Sequence, residues 1–339
     1  MHNTEASPAT RDDGLDPEIR AFQQRLSAGY AQHPALDGLP LHEARRIAEA
    51  VRAPFARGGP VMGDTIDCHV DAEGETVRVR VHLPTLGSSA EGAPRPALIY
   101  LHGGGWTLFS IDTHDRLMRE YAQRTGVAVI GVDYALAPEQ RFPRALRQVA
   151  AVVGWLRAQG LGIGVDGERL ALGGDSAGAN LALAASLLLR GTEHAASLRA
   201  LVLNYGVFSR NVDSDSHRRF SGPAYLLNSA EMVGFWRNYL GDAVDDDPLA
   251  EPLKADLHGL PPAFLAVAQC DVLFDDNLAM AKALAASGVD TTFVLYPGTT
   301  HGFLEAMSMA QISRRALDET AAWLHRHLSA SREHTRGAP

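Results

Sequence analysis

The sequence predicts an α/β fold, a mostly parallel sheet buried on both faces with helices packed over it. Six short, unbroken apolar runs at 97–101, 127–132, 170–172, 200–204, 263–268 and 292–296 read as strands covered on both sides. Helical stretches at 114–124, 144–159, 177–190, 277–287 and 309–328 separate most of them, and that alternation builds parallel sheets. A third pattern marks an exception. Residues 76–83 alternate Val77, Val79, Val81 and Leu83 with Arg78, Arg80 and His82, as a half-exposed strand does. This strand is expected as an antiparallel edge of the sheet.

The remaining elements follow in chain order. Residues 1–15 are polar and acidic and read as a disordered leader. Asp16-Pro17-Glu18 then offers an N-cap with proline at the first helical position, and Ile19, Phe22, Leu26 and Tyr30 form one apolar stripe. A second helix is expected over 41–55, with Ile47, Val51 and Phe55 on one face, and Arg57-Gly58-Gly59-Pro60 ends it. Between the strands at 200–204 and 263–268 lies a long stretch without a strand signal. It holds a polar segment (209–219), one amphipathic helix (229–240) and an acidic run (242–252). An insertion of that size in an α/β domain is usually functional, often a lid.

The chain has 339 residues, more than one plain domain needs. The expected division is a leader (1–15), a helical cap split between 16–60 and 207–260, a catalytic domain over 61–206 and 261–330, and a tail (331–339). The balance of 31 basic against 40 acidic residues gives a net charge of −9, which argues against nucleic acid as a partner. The start of the chain has no basic, apolar signal segment, so a cytoplasmic location is expected. The longest apolar run, 177–189, is interrupted by Asn180 and Ser186 and is too short for a bilayer, so no membrane partner is expected. Cys68 and Cys270 have neither disulfide-framework nor metal-ligand spacing and are expected to be small buried hydrophobes within strands.

Two motifs carry chemistry. Gly174-Asp175-Ser176-Ala177-Gly178 lies between a short strand and an Ala/Leu-rich helix. In that setting a GxSxG holds the serine in a strained turn with its Oγ exposed above the sheet. Ser176 is therefore the candidate nucleophile. His102-Gly103-Gly104-Gly105-Trp106 follows the strand at 97–101. Consecutive glycines let backbone N–H groups face a developing oxyanion, so Gly103, Gly104 and Gly105, with the N–H of Ala177, are the candidate oxyanion hole. His102 is expected to brace this loop through hydrogen bonds.

With HGGGW followed by GGDSAGAN, the chain resembles the hormone-sensitive-lipase-like group of α/β-hydrolase carboxylesterases, and within it the bacterial acetyl esterases. The likeness runs from about residue 97 to the terminal helix. It includes Val132-Asp133-Tyr134-Ala135-Leu136-Ala137-Pro138-Glu139, Tyr205-Gly206 with Arg218-Arg219, and Leu295-Tyr296-Pro297-Gly298-Thr299-Thr300-His301-Gly302-Phe303. Ala135 stands where the family usually has arginine, which removes an ion pair. Asp271-Val272-Leu273 replaces the family's DPL but keeps the carboxylate. The resemblance implies the α/β-hydrolase fold, ester hydrolysis, and short acyl chains from acetyl to hexanoyl.

A serine nucleophile needs a histidine base and a carboxylate that holds its tautomer. In α/β-hydrolases the order is Ser, acid, His. Of 14 histidines, His301 lies in the loop after the last strand, whereas His258 is out of order. His325 and His327 read as surface residues, and His69, His82 and the others as exposed. Asp271 lies nearest the end of the strand at 263–268 and matches the family's position. Asp275 and Asp276 are the alternatives, placed where they can cap the next helix. Trp106, Tyr205, Phe208 and Phe235 are candidate pocket residues or ordinary cap packing. No metal or organic cofactor is implied, and the expected partner is a small-molecule ester. The oligomeric state stays open, a homodimer included. An amidase or deacetylase with the same triad is the alternative, and a receptor without catalysis is the reading from another class.

Overall fold

In the computed structural model, which describes residues 14–72, 74–85, 93–241 and 246–329, eight strands form one sheet. They are β1 (Asp64–Ala72), β2 (Glu75–Leu83), β3 (Arg95–Leu101), β4 (Ala128–Asp133), β5 (Val165–Asp175), β6 (Leu198–Asn204), β7 (Ala263–Cys270) and β8 (Thr291–Thr300). Their order is β1-β2-β4-β3-β5-β6-β7-β8. β1 and β2 run antiparallel, as does β2 against β4, and every other pair is parallel.

β2 is not the edge strand that its alternation suggested, because β1 lies outside it. β1 carries Asp64, Asp67 and Asp71, which weaken its strand signal, but the ladder pairs Asp67 directly with Arg80. Arg80 Nε donates to Asp67 Oδ1 at 2.7 Å, and that hydrogen bond leads the effects that hold the Asp67 carboxyl down at about 2. Cys68 in β1 is half-exposed, contrary to the buried position expected of it, while Cys270 at the end of β7 is buried.

Side chains alternate across the parallel strands and supply two cores. Ile99, Leu101, Leu172, Leu203 and Leu265 face one layer, which includes α4 (Arg144–Gln159), α5 (Ala177–Leu189) and α8 (Phe274–Ala286). Leu98, Tyr100, Ala171, Val202 and Phe264 face the other, with α1 (Pro17–Tyr30), α2 (Leu41–Ala56), α3 (Asp115–Thr125) and α9 (Gln311–Ser329). α5 is buried nearly all round, so its long apolar run is core. No described helix is long and apolar enough to cross a membrane.

Both segments expected to form a cap reach the carboxyl ends of the strands. Asp16 caps α1 through Oδ1, which accepts the N–H groups of Glu18 (2.8 Å) and Ile19 (3.2 Å). The Asp16 N–H donates to Gly298 O at 2.9 Å, and Gln23 Nε2 donates to Thr300 Oγ1 at 2.9 Å, which lays α1 across the end of β8. The 207–260 insertion holds two helices among its described residues, α6 (Asp215–Phe220) within the polar segment and α7 (Ser229–Leu240) where expected. Residues 242–245 of the acidic run, most of the leader and all of the tail lie outside the described residues.

α8 begins at Phe274, three residues before its expected start, so Asp275 and Asp276 lie within its first turn and do not cap it. Asp276 Oδ1 accepts Ser209 Oγ (2.7 Å), Asp276 Oδ2 accepts Ser209 N–H (3.1 Å), and Asp275 Oδ2 accepts Ser216 N–H (2.8 Å). Both carboxylates anchor the base of the insertion. Burial pushes the Asp276 carboxyl up to about 6.

Candidate active site

Four strand ends converge on one place, the carboxyl edge where open α/β sheets hold their ligands. Ser176 follows β5, Asp271 follows β7, His301 follows β8, and the glycine loop follows β3. Ser176 adopts φ 55°, ψ −118°, outside the favoured regions for a residue with a side chain. Its N–H donates to Asn204 O at 2.9 Å and its carbonyl accepts Ala179 and Asn180 N–H, so the turn is gripped from both sides. A Cβ on Gly178 would collide with the Leu101 carbonyl, which shows why the turn packs against β3 only with glycine there.

His301 Nε2 lies 3.0 Å from Ser176 Oγ, and His301 Nδ1 lies 2.8 Å from Asp271 Oδ2. Asp271 Oδ1 accepts the Leu273 N–H at 3.0 Å. Burial alone would lower the His301 pKa, but the Asp271 charge and its hydrogen bond outweigh that, and the net shift is upward. The Tyr205 ring packs edge-on to the imidazole, with centroids 5.1 Å apart.

The glycine loop is tied from behind. Asp175 is buried, and its Oδ1 accepts Tyr100 Oη (2.8 Å) and the Gly103 N–H (3.1 Å). His114 Nε2 lies 3.4 Å from Asp175 Oδ2. Burial opposes ionisation of both partners, yet their mutual attraction holds Asp175 below and His114 above their ordinary values. The Gly103 amide is thereby engaged and drops out of the three glycines expected to face an oxyanion. Gly104 and Gly105 line the cavity beside Ser176, and Gly103 does not. Ala177 is the first residue of α5, where a helix leaves its N–H groups without intrahelical acceptors.

His102 braces this loop as expected. Nδ1 lies 2.7 Å from Gly103 O, an acceptor, so this nitrogen carries the proton. The ring stacks on Tyr134 at 4.3 Å, and Tyr134 Oη donates to His102 O at 2.6 Å. Burial, reinforced by His114, lowers its pKa to about 3, so the ring is neutral. The Ala135 N–H donates to Gln148 Oε1 at 2.7 Å. Arg45 from α2 binds both Glu139 oxygens (2.9 and 2.7 Å) and donates to the carbonyls of Thr107 and Ala137.

The cavity holds about 530 Å³, within the range of small-molecule sites. Its walls come from α1, α2, α7, the glycine loop, Ser176 and His301. Trp106 and Phe235 line it as expected. Tyr205 and Phe208 do not. Both are fully buried, Tyr205 against His301 and Phe303, and Phe208 over Gly206 at the base of the insertion. Three histidines expected at the surface are also buried: His82 beside Asp115, His114 beside Asp175, and His217 beside Ser229. The sequence reading missed Asp175 and His114 as the support of the glycine loop. Asp175 lay within the GxSxG motif itself, but its neighbour Ser176 drew the chemical interpretation.

A family model described as the α/β hydrolase fold matches residues 98–305. The chain belongs to this family. Its relatives are ester hydrolases, and so is this chain. The ethyl acetate hydrolase of Pseudomonas putida is 33% identical over 326 residues, covering 93% of this chain and 99% of the relative. The acetyl esterase of Salmonella enteritidis is 35% identical over 321 residues, 94% of this chain and 96% of the relative. Among solved structures, an ester hydrolase from the metagenome of Lake Arreo, complexed with a bipyridine phosphonate derivative, superposes with a TM-score of 0.86. It is 32% identical and covers 93% of this chain and 100% of that one. The esterase of Pyrobaculum calidifontis superposes with a TM-score of 0.82 at 30% identity, over 93% and 100% of the two chains. This esterase therefore shares its architecture with its relatives along nearly its whole length.

Proposed function

We propose that this protein hydrolyses short-chain acyl esters through a Ser176–His301–Asp271 triad and an acyl-enzyme intermediate. The observation that carries the reading is the unbroken hydrogen-bond line from Asp271 through His301 to Ser176 at the cavity wall. In the first step, Ser176 Oγ attacks the ester carbonyl while its proton passes to His301 Nε2. The amides of Gly104, Gly105 and Ala177 receive the developing oxyanion. Collapse expels the alkoxide, which takes the Nε2 proton and leaves as the alcohol. Water then loses a proton to Nε2 as it attacks the acyl-serine, and collapse of the second tetrahedral species returns that proton to Ser176 Oγ and releases the carboxylic acid.

The N-terminal helices and the 207–260 insertion act as one split cap over this chemistry, which their shared lining of the cavity supports. The short acyl range draws on the relatives named for acetyl esters and ethyl acetate. A series of p-nitrophenyl esters from acetate to palmitate, with the p-nitroanilide of butyric acid alongside, tests both points. The expected kcat/KM peaks between acetate and hexanoate, falls steeply at palmitate, and is lowest for the anilide. A profile that rises past decanoate would overturn the short-acyl reading, and an anilide cleaved as well as the ester would make the enzyme an amidase.

A further inference from the structure

The cavity has two chemically different walls. The insertion contributes mostly apolar side chains, among them Met232 and Phe235, with Glu231 as its one carboxylate, whereas the N-terminal segment and the residues after His301 contribute Tyr30, Asp37, Arg52 and Glu305 beside the apolar Leu36. Arg52 is the unusual member, because only 7% of its surface is exposed and yet it carries a full charge. Its Nη1 lies 2.6 Å from Glu305 Oε1, and its guanidinium sits 5.0 Å from the centre of the Phe109 ring. Nη1 meets Glu305 as an ion pair without a well-directed hydrogen bond, and Nε has no hydrogen-bond acceptor among the described residues.

A buried ion pair with an unfilled donor at Nε is a poor device for stability alone, since apolar side chains of similar volume usually serve as well. Its position suggests another use. Glu305 follows His301 by one turn, and its Oε1 lies within 3.3 Å of where a Cβ on Gly302 would stand. The pair thus borders the reacting centre and offers a donor and an acceptor side by side. That combination suits a hydroxyl group, which accepts from the guanidinium and donates to the carboxylate. An anionic group suits it less, because Asp37, Glu305 and Glu231 on the same cavity outnumber the single arginine.

We propose that Arg52 and Glu305 form a subsite for a hydroxyl on the alcohol portion of the substrate, so that acylated polyols are preferred over alkyl esters of the same shape. This rests on the esterase reading above. There, an acyl group of two to six carbons fills only part of the cavity, and the alcohol takes the rest. A site built to bond a hydroxyl discriminates strongly against an analogue that lacks it, because its buried polar groups are then left unpaired.

The test compares 2,3-dihydroxypropyl acetate with 2-methylbutyl acetate, in which methyl groups replace both hydroxyls. Released acetic acid is titrated, and the kcat/KM ratio of the two esters is divided by the ratio of their alkaline hydrolysis rates. The expected normalised ratio in the wild-type enzyme exceeds about ten, and falls at least about tenfold in Arg52→Met and in the paired Arg52→Met, Glu305→Met variant. A wild-type ratio below ten overturns the subsite, as does an unchanged ratio in a variant that still melts cooperatively. Should both variants fail to fold, the wild-type ratio decides alone. If neither ester is hydrolysed by the wild type, the esterase reading itself fails and the subsite with it.

Discussion

Replacing Ser176 with alanine is expected to reduce kcat on p-nitrophenyl butyrate by at least about 10³-fold, with the fold intact. The substitution removes only Oγ. The strained φ of 55° suits alanine no worse than serine, and the backbone bonds that grip the turn do not involve the side chain. What remains is the cavity and the amides of Gly104, Gly105 and Ala177, which still bind the ester and stabilise a tetrahedral species attacked directly by water. Residual activity over the uncatalysed rate is therefore expected, and adding His301→Ala to Ser176→Ala should cost little more, because nucleophile and base act as one unit. The measurement is a single-turnover assay beside a thermal melt. A variant that folds, is free of contaminating esterase and retains a tenth of the wild-type rate would remove Ser176 from the role of nucleophile.

The strands and helices that carry the site are legible because each strand has an unbroken apolar run and each helix a periodic one. α7 and α4 span the expected residues, and the start of α1 is marked by the Asp16-Pro17 cap. β1 has no clear local signal because its aspartates interrupt the apolar pattern, and the pairing of Asp67 with Arg78 and Arg80 of the neighbouring strand is a partnership that no local pattern shows. β5 runs from Val165, well before its apolar core, because Val165 pairs with Arg95 of β3 and the register shifts before Leu170 rejoins the ladder. Ser176, Asp271 and His301, the proposed triad, could be ordered along the chain because each follows a strand end, so topology alone restricts their positions. The support behind them could not. Asp175 meets His114 and Tyr100, and Arg52 meets Glu305, across long stretches of sequence that only the folded sheet brings together. Burial of His82, His114 and His217 is hidden for the same reason, since each meets a partner from a different element.

Asp271→Asn is expected to lower kcat by about 10³- to 10⁴-fold through the tautomer of His301. In the wild-type enzyme, Asp271 Oδ2 accepts from Nδ1–H, which leaves Nε2 unprotonated and able to accept from Ser176 Oγ. An asparagine at 271 has one oxygen, and the buried Leu273 N–H, 3.0 Å from Oδ1, claims it. The amide NH₂ then points at His301 Nδ1 and donates to it, so the ring proton moves to Nε2. A protonated Nε2 cannot remove the serine proton. The pH profile supplies a second readout with a definite sign. His301 must be neutral to act as base, and its pKa is raised above 6.5, so the acid limb of wild-type kcat/KM should lie above pH 6.5. Without the Asp271 charge, burial becomes the dominant influence and disfavours the imidazolium, so the limb of the residual activity should move to lower pH. A rate within tenfold of wild type, or a limb that stays in place, would transfer the role of the acid to another carboxylate. Asp275 and Asp276 are poor heirs, because both are committed to backbone N–H groups of the insertion.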